Sequence, residues 1–224
     1  MFFHSHPYKP YIPEGSLKLI VGTLPPPRFT TGELLDGDVN FCYGSRDGQL
    51  WPILDTIFNL NLAYEDTPEA VLQRKNFLKA QRIGICDIVE SCYREKVDAS
   101  DLGMMNARLR NLIEMLQKFP TIKTLLFMGG NSKNGPEYFF RKQLKEHRLK
   151  LELISDEVPR KYSFEIQNRK VLTVSLTAPS GAANRAVGSM ALYKKMKSEN
   201  PDFNTVEFRI RQYEPYFKNQ DKFI

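Results

Sequence analysis

Long apolar runs are missing from this chain of 224 residues, and it carries only three cysteines and one tryptophan. No apolar run approaches the roughly 20 residues that a membrane-spanning helix needs. The first residues, MFFHSHPYKP, lack a basic segment followed by a long apolar core, so no signal peptide is expected. A soluble, cytoplasmic or otherwise intracellular protein is the resulting expectation. The cysteines, Cys42, Cys86 and Cys92, are odd in number and form no CxxC pair. That pattern favours reduced thiols over a disulfide framework or a zinc site. His4 and His6 have no evident third ligand, so they are read as a mobile N-terminal feature and no metal is expected. Repeats, low-complexity tracts and linkers are absent too. The chain reads as one domain, 1–224, with a C-terminal extension from about residue 200.

What is present is a basic excess: net charge +6 and a pI near 9.1. This suits polyanion binding, and it suits an ordinary basic surface equally.

Four stretches read as strands: Leu17–Gly22, Thr124–Met128, Leu149–Ile154 and Val171–Leu176. Three are short apolar runs of the kind covered on both faces. LKLELI at 149–154 alternates and looks like an edge. Helical patterns cover Leu50–Phe58, Thr67–Gln81, Ala107–Phe119, Pro136–His147 and Ala186–Ser198. Thr67-Pro68 supplies a cap followed by proline in the first turn. Alternating strands and helices imply right-handed crossovers and a parallel sheet between helical layers. Asn204–Ile224 is expected to add a final strand or helix.

Ligands of open parallel sheets bind beyond the carboxyl ends of the strands. Three unusual loops fall there: GTLPPPRF at 22–29, GGNSKNG at 129–135 and TAPSGAANR at 177–185. Gly22 permits close backbone approach, or simply a turn. Ser180 and Gly181 stand just before a helix start with Arg185 nearby, an arrangement that suits a phosphate. The same residues, with Asn184, also suit an ordinary cap. A fourth segment, FCYGSRDGQLWPIL at 41–54, sets Ser45, Arg46 and Asp47 between two glycines, ahead of the only tryptophan.

Taken together, HPYKPYIPEGSLKLIVGTLPPP at 6–27, FCYGSRDGQLWPIL at 41–54, GICDIVESCYRE at 84–95, KTLLFMGGNSK at 123–133 and SLTAPSGAAN at 175–184 resemble the uracil-DNA glycosylase superfamily. The likeness is nearest to its hypoxanthine-DNA glycosylase and mismatch-specific branches. The resemblance implies an α/β fold, a three-layer αβα sandwich with a four-stranded parallel central sheet. It implies a DNA glycosylase acting in base excision repair on a deaminated base, without metal or cofactor. The partner is DNA bearing a damaged base, and the enzyme acts as a monomer. Base flipping is part of that expectation, since the bond is unreachable inside the stack.

On this likeness Tyr43 stacks on the flipped base, and Gly22, Thr23 and Asp87 frame it. Pro179, Ser180, Gly181, Asn184 and Arg185 grip the strand. Two positions where related enzymes carry a water-holding asparagine are Leu24 and Gly48 here. Asp47 is the nearest replacement, with Gln49 second. A turn or cap role for Asp47 stands beside the catalytic one, as a buried cap does for Asp87. Asp101, in SDL, reads as an N-cap residue. Two other functional classes fit the same residues. One is a catalytically impaired DNA-binding protein of the same fold, and the other is an α/β nucleotide-binding module.

Overall fold

The structure, a computed structural model, describes residues 1–218. Nine strands occur among them: β1 (Phe2–Ser5), β2 (Lys18–Gly22), β3 (Ile83–Asp87), β4 (Val89–Arg94), β5 (Met105–Leu109), β6 (Thr124–Phe127), β7 (Glu152–Ser155), β8 (Arg160–Ile166) and β9 (Arg169–Ser175). Six form one sheet in the order β3-β2-β6-β9-β8-β7, and β1-β4-β5 form a small antiparallel one. The four strands β3, β2, β6 and β9 run parallel, while β8 and β7 are antiparallel.

The sheet therefore differs from the expected four-stranded one. The fourth parallel strand is β3, which lies inside the span read as helices and loops. The stretch at 149–154 yields β7, an antiparallel outer edge strand on which Leu153 is 58% and Ile154 51% exposed. A tight hairpin at Gln167-Asn168, both at positive φ (49° and 57°), returns β8 into β9. That geometry matches the right-handed twist of the strands it joins.

The helices are α1 (Arg28–Thr31), α2 (Leu50–Phe58), α3 (Pro68–Ala80), α4 (Leu112–Lys118), α5 (Pro136–Glu146), α6 (Asn184–Ser189), α7 (Ala191–Glu199) and α8 (Thr205–Lys218). Thr67 caps α3 through the Ala70 amide, 3.3 Å away. The expected helix at 107–119 is half strand: β5 occupies its start, and α4 begins where the Asn111 side chain accepts from the amides of Ile113 and Glu114. The expected helix at 186–198 is two helices, because Met190 adopts an extended conformation (φ −68°, ψ 133°). The tail forms α8. The rest of the stretch expected to end the chain, 219–224, lies outside the described residues.

Alternation along the central strands builds two cores. Ile20, Leu126, Leu172 and Val174 face one side with α2, α3 and α8. Leu19, Val21, Leu125, Phe127 and Val171 face the other with α4 and α5. This is the three-layer arrangement. Trp51 is buried in the first core, donates Nε1–H to the Cys42 carbonyl at 2.9 Å, and lies under the Arg74 guanidinium. Trp51→Ala is expected to cost about 3–5 kcal/mol of unfolding free energy, read from urea denaturation followed by circular dichroism.

Candidate active site

Parallel register places Gly22, the last residue of β2, opposite Asp87, the last of β3. Both sit at the carboxyl edge of the sheet. Asp87 is buried, and its Oδ2 accepts from His6 Nε2 at 2.7 Å. The Tyr8 amide donates to His6 Nδ1 at 3.0 Å. Nδ1 is therefore an acceptor, and Nε2 carries the proton that Asp87 receives.

The N-terminal histidines are thus ordered, contrary to expectation. β1 pairs antiparallel with β4, and the His6 amide donates to the Glu90 carbonyl. His4 is fully buried and its Nδ1 accepts from Arg94 Nε at 2.8 Å. Burial, then the charges of Arg94 and His6, pushes its pKa down to about 4. Among the described residues no group of three or more His, Cys, Asp or Glu is placed to hold a metal ion, and no helix is long and apolar enough to cross a membrane.

Tyr43 stands above Gly22. A Cβ built on Gly22 would lie 1.9 Å from the Tyr43 hydroxyl and 2.4 Å from Asp87 Oδ1, so a side chain cannot enter. The phenol oxygen is buried without a hydrogen-bond partner, while the residue as a whole keeps part of its surface exposed. Burial first, then the Asp87 charge, pushes its ionisation far above the usual phenol range, so it remains a protonated donor. Its backbone sits at φ 59°, an outlier for a bulky residue. The turn holds because Gly44 packs where a Cβ would fall 1.8 Å from the Val39 carbonyl.

Thr23 follows Gly22, and its hydroxyl donates to Asp101 Oδ1 at 2.7 Å. Asp101 is therefore not the cap expected of it; Ser100 holds the N-cap position of the short 3-10 turn. Burial raises the Asp101 pKa to about 6, against the Thr23 hydrogen bond and the Arg94 charge.

The loop at 44–49 lies further out. Asp47 has a 73% exposed carboxylate, 3.2 Å from Arg28 Nη2. Arg28 is itself held by the buried Asp38 through two bonds of 2.7 and 2.8 Å. Gln49 donates its amide to the Pro179 carbonyl at 2.9 Å, and Gly48 bridges to Ser180. The Gln49 Oε1 is buried without a partner. The structure thus brings 48–49 against 179–180, and it gathers Gly22, Thr23, Tyr43 and Asp87 separately at the strand ends. Neither Ser180 nor Asn184 caps a helix with its side chain. Asn184 Oδ1 instead accepts from Thr205 and Arg209, and Arg185 is exposed. Leu24 packs against the second core.

The sequence reading missed His6 as a partner of Asp87 and Asp101 as a partner of Thr23. The first had no local signal, since His6 and Asp87 lie 81 residues apart in sequence. The second had no local signal, since Thr23 and Asp101 meet only through the fold.

No protein-family profile matches the chain, and no curated protein matches it in sequence. Among solved structures, a putative uracil DNA glycosylase from Methanosarcina acetivorans, determined by solution NMR, shares the fold with a TM-score of 0.52. The two are 16% identical, and the alignment covers 93% of this chain and 99% of that one.

Two outcomes follow for stability. Asp101 binds its proton more tightly folded than unfolded, so it contributes stability below its ordinary pKa of 3.8 that is lost as pH rises through about 6. His4 acts oppositely: its contribution is present above 6.5 and is lost as pH falls towards about 4. Asp101→Asn leaves His4 unopposed, so its melting temperature should rise more steeply than wild type between about pH 4 and 6. Parallel melting curves check this, and equal slopes would contradict it. Tyr43→Phe removes a buried hydroxyl that has no partner. It should raise the urea-unfolding free energy by about 1 kcal/mol, and a loss of that size would show that the hydroxyl is satisfied.

Proposed function

We propose that this chain is a DNA glycosylase that hydrolyses the N-glycosidic bond of a deaminated base, uracil or hypoxanthine, swung out of DNA. One observation carries the reading. A buried aspartate fixed by a histidine, a glycine over which the Tyr43 hydroxyl and the Asp87 carboxylate close, and a strained tyrosine share the carboxyl edge of the sheet. The fold shared with the Methanosarcina protein supports it.

Asp87, held by His6, positions the attacking water and stabilises the oxocarbenium-like sugar. The water oxygen bonds to C1′ as the C1′–N bond breaks. The bonding electrons leave with the base, the water proton passes to the carboxylate, and that proton is then released to the departing base anion, which restores the carboxylate. The base lies against the exposed part of Tyr43 beside Thr23, and the phenol, seated over Gly22, supplies a donor. Asp47, exposed beside Arg28, is the rival water holder. The loop at 179–185, with Arg185 exposed on it, faces the strand.

Incubation of the protein with uracil-, hypoxanthine- and xanthine-containing oligonucleotides should give an abasic product on at least one. Asp87→Asn should slow turnover by a factor on the order of 100, with Asp47→Asn much closer to wild type; the reverse order transfers the role to Asp47. No product on any substrate at large enzyme excess removes the proposal. The competing reading, a DNA binder without turnover, draws on the two apolar replacements: neither Leu24 nor Gly48 has a side chain that can hold water. It gives salt-dependent DNA binding with no abasic product.

A further inference from the structure

The C-terminal helix α8 grips the loop at 177–184 from beneath. Tyr213 donates its hydroxyl to the Thr177 carbonyl at 2.5 Å. Gln212 Oε1 accepts from both the amide and the hydroxyl of Thr177, each at 2.9 Å. Arg209 does most. Its Nε donates to the Ala178 carbonyl at 2.9 Å and its Nη2 to the Ser180 carbonyl at 3.1 Å. Its Nη1 donates to Asn184 Oδ1 at 2.9 Å and to the Thr205 carbonyl at 3.1 Å. One guanidinium thus ties both limbs of the loop to the helix.

Arg209 is 0% exposed. Its acceptors are neutral oxygens, and no carboxylate among the described residues forms an ion pair with it. Burial of an ion without a counter-ion is unfavourable in general, so a loop staple alone is a poor use of a charge. Carbonyl dipoles offset part of that cost. The remaining positive field acts through poorly polarisable surroundings on the loop crest at Gly181 and Ala182, which is exposed.

We propose that Arg209 is the positioning residue of the 178–184 loop and the built-in counter-charge for a phosphate of the strand lying on that loop. The identity of that strand as DNA rests on the glycosylase reading above. Arg209 itself stays beneath the loop, out of contact with the substrate, and acts through the loop backbone and through its charge.

The test uses the full chain, with wild type, Arg209→Gln and Arg209→Lys, and a fluorescent duplex containing an abasic site as probe. Anisotropy across a salt series should show Arg209→Gln binding about tenfold more weakly at low salt, with the slope of log K against log salt shallower by about one. Arg209→Lys keeps the charge and should keep the slope. With three donors on a single nitrogen it cannot span the loop. Its KM should therefore rise about tenfold while kcat stays within about twofold, and the amides of 178–184 should exchange faster.

Wild-type slope and affinity in Arg209→Gln would overturn the counter-charge. Should that variant not fold, unchanged KM and unchanged amide exchange in Arg209→Lys would overturn the positioning role. Absence of abasic product from wild type, with the slope difference intact, would sink the glycosylase reading and leave Arg209 in place. Failure of wild type to bind DNA would overturn both.

Discussion

The site depends on the register between β2 and β3. Parallel pairing sets Gly22 level with Asp87, and the burial of both residues makes that register costly to change. A slip by one residue would turn Asp87 to the other face of the sheet and leave a buried carboxylate unpaired. The small antiparallel sheet follows from the same requirement. β4 begins two residues after Asp87, and β1 pairs along it in a register that delivers His6 to the carboxylate. Arg110 closes the arrangement by donating to the carbonyls of Asp87 and Tyr8. Three segments far apart in sequence are thereby locked around one acid.

The tyrosine above that acid is held by the hydrophobic core. Its neighbour Cys42 is buried and offers its carbonyl to Trp51, while Gly44 and Val39 close the turn from the other side. The left-handed backbone of Tyr43 is over-determined by these contacts, a common condition for strain that persists near functional groups. Ser45 accepts from Arg28 and from the Asp47 amide, so the polar part of the loop is braced separately from the aromatic part. That division explains why Gly44 and Gly48 flank Ser45, Arg46 and Asp47. One half of the segment turns inward to the sheet and the other turns to solvent.

The parallel strands with purely apolar runs were legible because burial on both faces leaves a continuous pattern. β3 was less so: IGICD is short, contains a glycine and runs almost at once into β4, so it reads as part of a longer irregular stretch. β8, RKYSFEI, mixes charges with aromatics because its outer part is exposed. The α2 boundaries were read correctly, since Pro52 and the glycine-rich loop mark its start. Gly22 was legible from a loop at a strand end, while Thr23, Tyr43 and Asp87 join it only through the family resemblance; in the structure Tyr43 and Asp87 close over Gly22. The histidine partner, the Thr23–Asp101 bond and the α8 contacts could not be anticipated. Each joins residues many positions apart, and each was set by tertiary packing rather than by any local spacing. His4 and His6 looked mobile because an N-terminal pair of polar rings gives no sign of the strand that will cover them.

The two ends of the large sheet are finished differently. At β3, Tyr11 bonds both ways with the Ile85 backbone and blocks further strand addition. At β7 the outer backbone edge has no partner strand among the described residues, and Leu153 and Ile154 are exposed beside it. A sheet with one sealed flank and one bare flank can be extended from a single side. Edge-to-edge association through β7 would therefore use the same surface on both copies and terminate at a two-fold pair, without the second sticky end that a growing fibre requires.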